Sequence, residues 1–206
     1  MNVLTQALEV LDGEEAGEDE RLVARIRAGE SALFAQLYRR YYARTFALAF
    51  GMTGRREQAD DMAQEIFLRA YQQIGSYKGR SSFATWFYRL AVNHSLNYCR
   101  RERRHQSAVV GDADEAHNSL EINSGVGAED DMSETLMRRQ LQEQVRQALL
   151  TLKPEMRVLL VLKEIEGLSY EEIAERLSCS TGTVASGLSR ARQMLARKLE
   201  KLKGKI

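Results

Sequence analysis

Apolar residues recur along this chain at the three-and-four spacing of helices, and no stretch of convincing length alternates with the two-residue period of a strand. Leu22, Val23 and Ile26 can share one helical face, and Gly29 supplies a stop. Ser31 is placed to cap a second helix, which runs to about Met52 through Leu33, Phe34, Leu37, Tyr41, Phe46 and Phe50 and ends at Gly54. A third carries Ala63, Ile66, Phe67, Ala70 and Ile74. Gly75 and Gly79 punctuate the chain before Ser81 opens a fourth, in which Phe83, Phe87 and Leu90 share a face and read as core. These four helices make one unit over residues 20–104.

The periodicity then fails. From 105 to 133 the chain is rich in Asp, Glu, Ser, Asn and Gly, too long a stretch for an ordinary loop, and it reads as a flexible acidic linker. Beyond it, Leu141, Val145, Ala148, Leu149 and Leu152 form one stripe. Pro154 suits the first turn of a helix bearing Val158, Leu159, Leu162 and Ile165, which Gly167 stops. The chain after Gly167 has the punctuation of a helix-turn-helix. Ser169 and Glu172 make a capping box, Ile173, Ala174 and Leu177 face inward, Ser178 to Ser180 turn, and a last helix opens near Thr181 or Thr183, burying Val184, Leu188 and Leu195. A second unit over 134–206 results.

One proline in 206 residues agrees with an all-α fold of two small domains. The net charge of +1 hides a segregation of signs. Residues 1–19 hold six acids and no Lys or Arg, an acidic tail, and 106–136 hold eight acids and again no Lys or Arg. Arg100, Arg101, Arg103 and Arg104 close the first unit, and seven cations against one acid crowd the last seventeen residues. No segment is apolar enough to span a bilayer and the N-terminus lacks a signal peptide's basic start, so a cytoplasmic location is expected. Cys99 and Cys179 lack any CxxC partner, and the three histidines have no ligand spacing, so neither metal nor cofactor is expected. Nothing resembles a phosphate loop or an activated nucleophile, and no catalytic residues are expected.

The basic elements suit nucleic acid. A helix with Val184 and Leu188 inside and Arg190 and Arg192 outside fits the major groove. Aromatics beside the arginines of the fourth helix suit an opened strand, whose bases stack on aromatic rings while cations hold the backbone. With Phe83, Phe87 and Leu90 taken as core, Trp86, Tyr88, Asn93 and Asn97 remain to touch DNA.

Two long segments carry a family resemblance. "DDMAQEIFLRAYQQIGSYKGRSSFATWFYRLAVNHSLNYCRRERR" resembles region 2, and "LKPEMRVLLVLKEIEGLSYEEIAERLSCSTGTVASGLSRAR" resembles region 4, of the extracytoplasmic-function sigma factors, promoter-reading subunits of bacterial RNA polymerase. The resemblance implies that Asp61, Gln64 and Glu65 meet the polymerase β′ clamp. It implies that Trp86, Tyr88, Asn93 and Asn97 meet the minus-ten strand, with Arg100, Arg101, Arg103 and Arg104 on its backbone. Thr181, Thr183, Ser186, Ser189, Arg190 and Arg192 would serve the minus-thirty-five duplex. Region 4 would also touch the β flap, the linker would follow the polymerase's basic channel, and an anti-sigma protein, in some cases membrane-anchored, would hold the factor inactive. Where such factors commonly read G-T-V-K-S-R, this chain has Ala185 and Gly187, two cations fewer, so Ala185→Lys with Gly187→Arg is expected to tighten upstream binding. The competing readings are a dimeric helix-turn-helix regulator that binds duplex DNA without polymerase, which leaves the first 104 residues without a task, and a protein that binds only other proteins.

Overall fold

This computed structural model describes residues 17–109 and 132–203, with side chains placed for 17–105 and 138–200, and every regular element among them is helical. The expected acidic tail before residue 17, most of the expected linker, and the last three residues lie outside the described residues.

Helix α1 (17–27) is closed by Gly29, whose φ of 113° only glycine adopts without strain. Ser31 does not cap the next helix. It lies inside a 3-10 turn, Ser31–Leu33, that precedes α2 (Phe34–Thr53), and Glu30 at the start of that turn is drawn to Arg25 at 2.9 Å. Gly54, at φ 72°, ends α2 by donating its N–H to Phe50 O at 2.7 Å. After α3 (Arg56–Gln73), α4 (Phe83–Val109) begins two residues later than Ser81, because the Ser82 hydroxyl accepts the Thr85 N–H at 3.2 Å. It also runs past 104, so residues 105–109, expected in the linker, are helical.

The core of the first half is built from Leu37, Leu48 and Met52 of α2, Met62 and Ile66 of α3, and Phe83 and Phe87 of α4, all at most 1% exposed. Each such side chain contributes about 1.5–3 kcal/mol. Leu90 is only partly buried. Helix α1 is tied down by carboxylates: buried Asp19 accepts from Tyr41 and Arg40, and Glu20 accepts from the Tyr77 hydroxyl at 2.6 Å and the Phe83 N–H at 3.0 Å. Asp19 therefore belongs to the folded body and not to a tail.

The second half comprises α5 (Met132–Leu150), α6 (Pro154–Leu160), α7 (Tyr170–Leu177) and α8 (Thr181–Lys203). Pro154 takes the first turn of α6, which widens over Val161–Ile165 into a π turn before Gly167, at φ 71°, reverses the chain.

The two halves are docked on one another and share a continuous apolar core. Arg157, 7% exposed, makes the joint. Its guanidinium donates to Met52 O at the end of α2, to Leu149 and Leu150 O at the end of α5 and to Leu152 O in the turn just beyond it. Arg146 adds a bond to Gly54 O. Both cations sit where α2 exposes unpaired carbonyls and the negative end of its dipole. Beside them Val161 lies so close to α2 that a Cβ at Gly51 would fall 2.6 Å from its Cγ2.

Candidate nucleic-acid interface

Helix α4 resolves the apposition of aromatics and arginines by giving each its own side. Phe83, Phe87, Tyr88, Ala91, Val92, Ser95 and Cys99 face inward, while Asn93, Asn97, Arg100, Arg101 and Arg104 face out. Trp86 lies between, half-buried, with its ring 5.5 Å from that of Phe83 and 5.7 Å from that of Tyr77. Its partly exposed ring is held in position by these two neighbours.

Tyr88 is not placed to touch DNA in this arrangement. It is 1% exposed, and the Arg176 guanidinium lies 4.3 Å above its ring. Burial first, then Glu166, pushes its hydroxyl pKa up to about 12. The physical reason is α7, which covers this turn of α4: Thr85 donates to Glu175 Oε1 at 3.1 Å, and Arg89 donates to Glu175 O at 3.2 Å. Further along, Arg100 pairs with Glu155 at 2.8 Å and Arg103 donates to Leu152 O at 3.4 Å. The second half of the molecule thus occupies part of the basic side of α4.

The helix-turn-helix forms as its punctuation requires. The Glu172 N–H donates to Ser169 Oγ at 3.1 Å and the Ser169 N–H to Glu172 Oε2 at 2.7 Å, a complete capping box. Ser178 adopts a left-handed φ of 54°, and the Ser180 hydroxyl accepts the Thr183 N–H at 3.1 Å, so Ser180 caps α8. Val184, Leu188 and Ala191 are buried and Leu195 is partly so. Thr181, Thr183, Ser186, Ser189 and Arg190 are exposed on the other side. Arg192 is exposed too but turned toward its own domain, 2.8 Å from Glu164 and near the Tyr170 hydroxyl.

Gly187 faces the wrong way for a phosphate contact. It is buried against α6, and a Cβ there would come 2.5 Å from Leu159 Cδ1. The glycine cost in a helix interior, about 1 kcal/mol, is the condition for this close approach. A side chain there would have to push aside the end of Leu159, which weighs against the Gly187→Arg half of the expected pair; half-buried Ala185 remains available.

On α3, Asp61, Gln64 and Glu65 are exposed and form one stripe. The stripe continues into Leu68, 57% exposed, which apolar periodicity does not single out although it follows Gln64 by one helical turn. Behind it lies His94 of α4, 8% exposed, with Nε2 3.1 Å from Glu65 Oε2. Burial, then Arg69, lowers the imidazole pKa more than Glu65 raises it, so the ring is held neutral and the contact is not an ion pair at neutral pH. No cluster of potential metal ligands occurs among the described residues.

The described residues thus present two basic helical surfaces, one on α4 and one on α8. Sigma-70 region 2 matches residues 37–105 and Sigma-70 region 4 matches 142–195. The chain is 32% identical over 188 residues to the RNA polymerase sigma-H factor of Pseudomonas aeruginosa, covering 90% of this chain and 95% of that one. It is 33% identical over 184 residues to the ECF RNA polymerase sigma-E factors of Haemophilus influenzae and Escherichia coli K12, covering 89% of this chain and 96% and 95% of theirs. The chain belongs to the extracytoplasmic-function sigma-70 factors, which are transcription initiation factors. Its fold resembles that of CnrH, solved with the cytosolic domain of CnrY (TM-score 0.62, 22% identity, 89% of this chain and 97% of that one). It also resembles the sigma factor RpoE of Bartonella quintana, solved with the anti-sigma factor NepR (TM-score 0.59, 23% identity, 81% and 96%).

Proposed function

We propose that the chain directs core RNA polymerase to two-part promoters through three separate surfaces. The exposed stripe of Asp61, Gln64 and Glu65, extended by Leu68, meets the β′ clamp. Asn93 and Asn97 with Trp86 take up bases of the opened minus-ten strand, and Arg100, Arg101, Arg103 and Arg104 hold its backbone. Thr181, Thr183, Ser186, Ser189 and Arg190 lie along the minus-thirty-five major groove, with Arg192 joining once released from Glu164. The region-4 domain also meets the β flap. The polymerase performs the chemistry and this chain none, and it acts in the cytoplasm. Control by an anti-sigma protein, membrane-anchored or soluble, is supported by the partner of the Bartonella quintana RpoE of like fold.

The observation that carries this reading is the pairing, in one chain of this family, of an exposed Asn93–Asn97–Arg101 face on α4 with a solvent-facing α8. Run-off transcription with sigma-free core polymerase on templates from the source genome tests it. A discrete transcript that requires the added chain is expected. Sequence-specific duplex binding without any transcript would overturn the reading in favour of a polymerase-independent regulator.

A further inference from the structure

Of the exposed stripe on α3, one polar member is tied to a buried group and the others are not. Asp61 and Gln64 carry no hydrogen bond or ion pair among the described residues. The Glu65 carboxylate instead lies against α4, with Oε2 3.1 Å from Nε2 of His94. The two partners are unequally placed: the His94 side chain is 7% exposed and that of Glu65 49%. Buried Nε2 has no in-line hydrogen-bond partner among the described residues, and Glu65 Oε2 is an acceptor within reach of it. A buried N–H left unpaired is costly, so Glu65, half in solvent and free to turn, is drawn toward it.

The charges around the ring decide what kind of tether this is. Burial, then Arg69 of α3, with Arg101 of α4 adding to them, disfavours the imidazolium against the opposing pull of Glu65. With its proton on Nε2, a neutral ring donates one hydrogen bond and cancels no charge, whereas a cation in its place would pair with the carboxylate and neutralise it. Glu65 is thereby held with its negative charge intact and half of its side chain in solvent. His94 follows Asn93 in sequence yet serves another side of α4, since Asn93 is exposed and His94 is turned to α3.

We propose that His94 is a positioning residue for polymerase binding: from inside the wall between α3 and α4 it holds the Glu65 carboxylate where a cation of the clamp meets it. The inference rests on the assignment of the Asp61, Gln64 and Glu65 stripe to the clamp. An exposed glutamate that is ordered beforehand loses less side-chain entropy on binding, a difference of about two- to tenfold in affinity.

The test is binding of the full chain, labelled at its N-terminus, to sigma-free core polymerase without DNA, followed by fluorescence anisotropy. His94→Leu removes the donor, keeps an apolar side chain in the wall, and should weaken binding about two- to tenfold. His94→Gln places an amide N–H where Nε2 stands and should bind as the parent does. His94→Asn, whose amide stops short of Glu65, should lose as much as His94→Leu. It keeps the comparison open should the leucine variant lose its helical circular dichroism. In a Glu65→Ala chain these substitutions should change affinity by no more than about twofold, the scatter of independent sites. A loss shared by His94→Gln, no loss in His94→Leu or His94→Asn, or the same loss with and without Glu65 overturns the proposal. Glu65→Ala alone separates the two failures: weakened binding leaves the clamp assignment standing without the positioning role, and unchanged binding removes both.

Discussion

Helices α4 and α8 are built alike, with an apolar side turned inward and polar and basic residues turned out, yet their surroundings differ. The outer side of α8 faces solvent along Thr181, Thr183, Ser186 and Ser189, whereas α4 shares Thr85, Arg89, Arg100 and Arg103 with the opposite half of the molecule. Their chemistry differs accordingly. Helix α8 offers hydroxyls and Arg190 on a rigid rod, which suits the edges of paired bases in a groove. Helix α4 offers amides and a partly exposed indole backed by Tyr77 and Phe83, which suits bases already unpaired.

The largest effect should come from the joint. Arg157→Ala leaves four carbonyls with one donor fewer each in a buried setting, so urea unfolding should show a loss of about 3 kcal/mol or more. A loss under about 0.5 kcal/mol, the scatter of surface changes, would show that α4 and α8 are not held in one body. Next, Trp86→Ala removes a partly exposed ring on which an unpaired base can stack, a contact worth about 1–3 kcal/mol per base, so affinity for opened strand should fall about tenfold while duplex affinity holds. Equal losses on both ligands would erase the division of labour.

Two changes at α8 sharpen it further. Gly187→Arg forces a side chain against Leu159, and thermal unfolding should register overpacking of about 1–3 kcal/mol. Ala185→Lys should instead leave stability intact and add about one unit to the salt slope of duplex binding, with no change for single strands.

The smallest effect is that of pH on the wall between α3 and α4. The folded pKa of His94 is lowered by burial, then by Arg69, against the opposing pull of Glu65. The unfolded imidazole titrates near about 6.5. The unfolded state therefore binds more protons below that value, so stability is full above it and falls as pH drops toward the lower folded pKa. Denaturant titrations should show this fall, and His94→Gln should flatten it; an unchanged slope in the variant would assign the dependence to other groups.

Much of this was legible in residue order. The Ser169–Glu172 box, the stops at Gly54 and Gly167, and the inward positions of Val184 and Leu188 arise from local chemistry, and the structure reproduces them. Periodicity names a helix's inner face but not what covers its outer one. Tyr88 lies beside the core stripe of α4, but the partner that buries it, Arg176, is 88 residues away. Gly51 looks like an ordinary helix interruption until Val161 is seen against it, and Arg157 looks like one more surface cation until its four carbonyls are found. Gly187 reads as an absent phosphate contact because a missing side chain carries no sign of which way it would have pointed. The docking of the halves was illegible for the same reason, since glycine contacts and arginine–carbonyl bonds leave no periodic trace.

The most direct test of the claim that α4 serves opened strand and α8 serves intact duplex is permanganate footprinting of a promoter complex formed with core polymerase. The chain should render downstream thymines reactive and protect the upstream duplex, and Trp86→Ala with Asn93→Ala and Asn97→Ala should abolish the reactivity while the upstream protection persists. Undiminished thymine reactivity in that variant, or joint loss of both signals, would contradict the account.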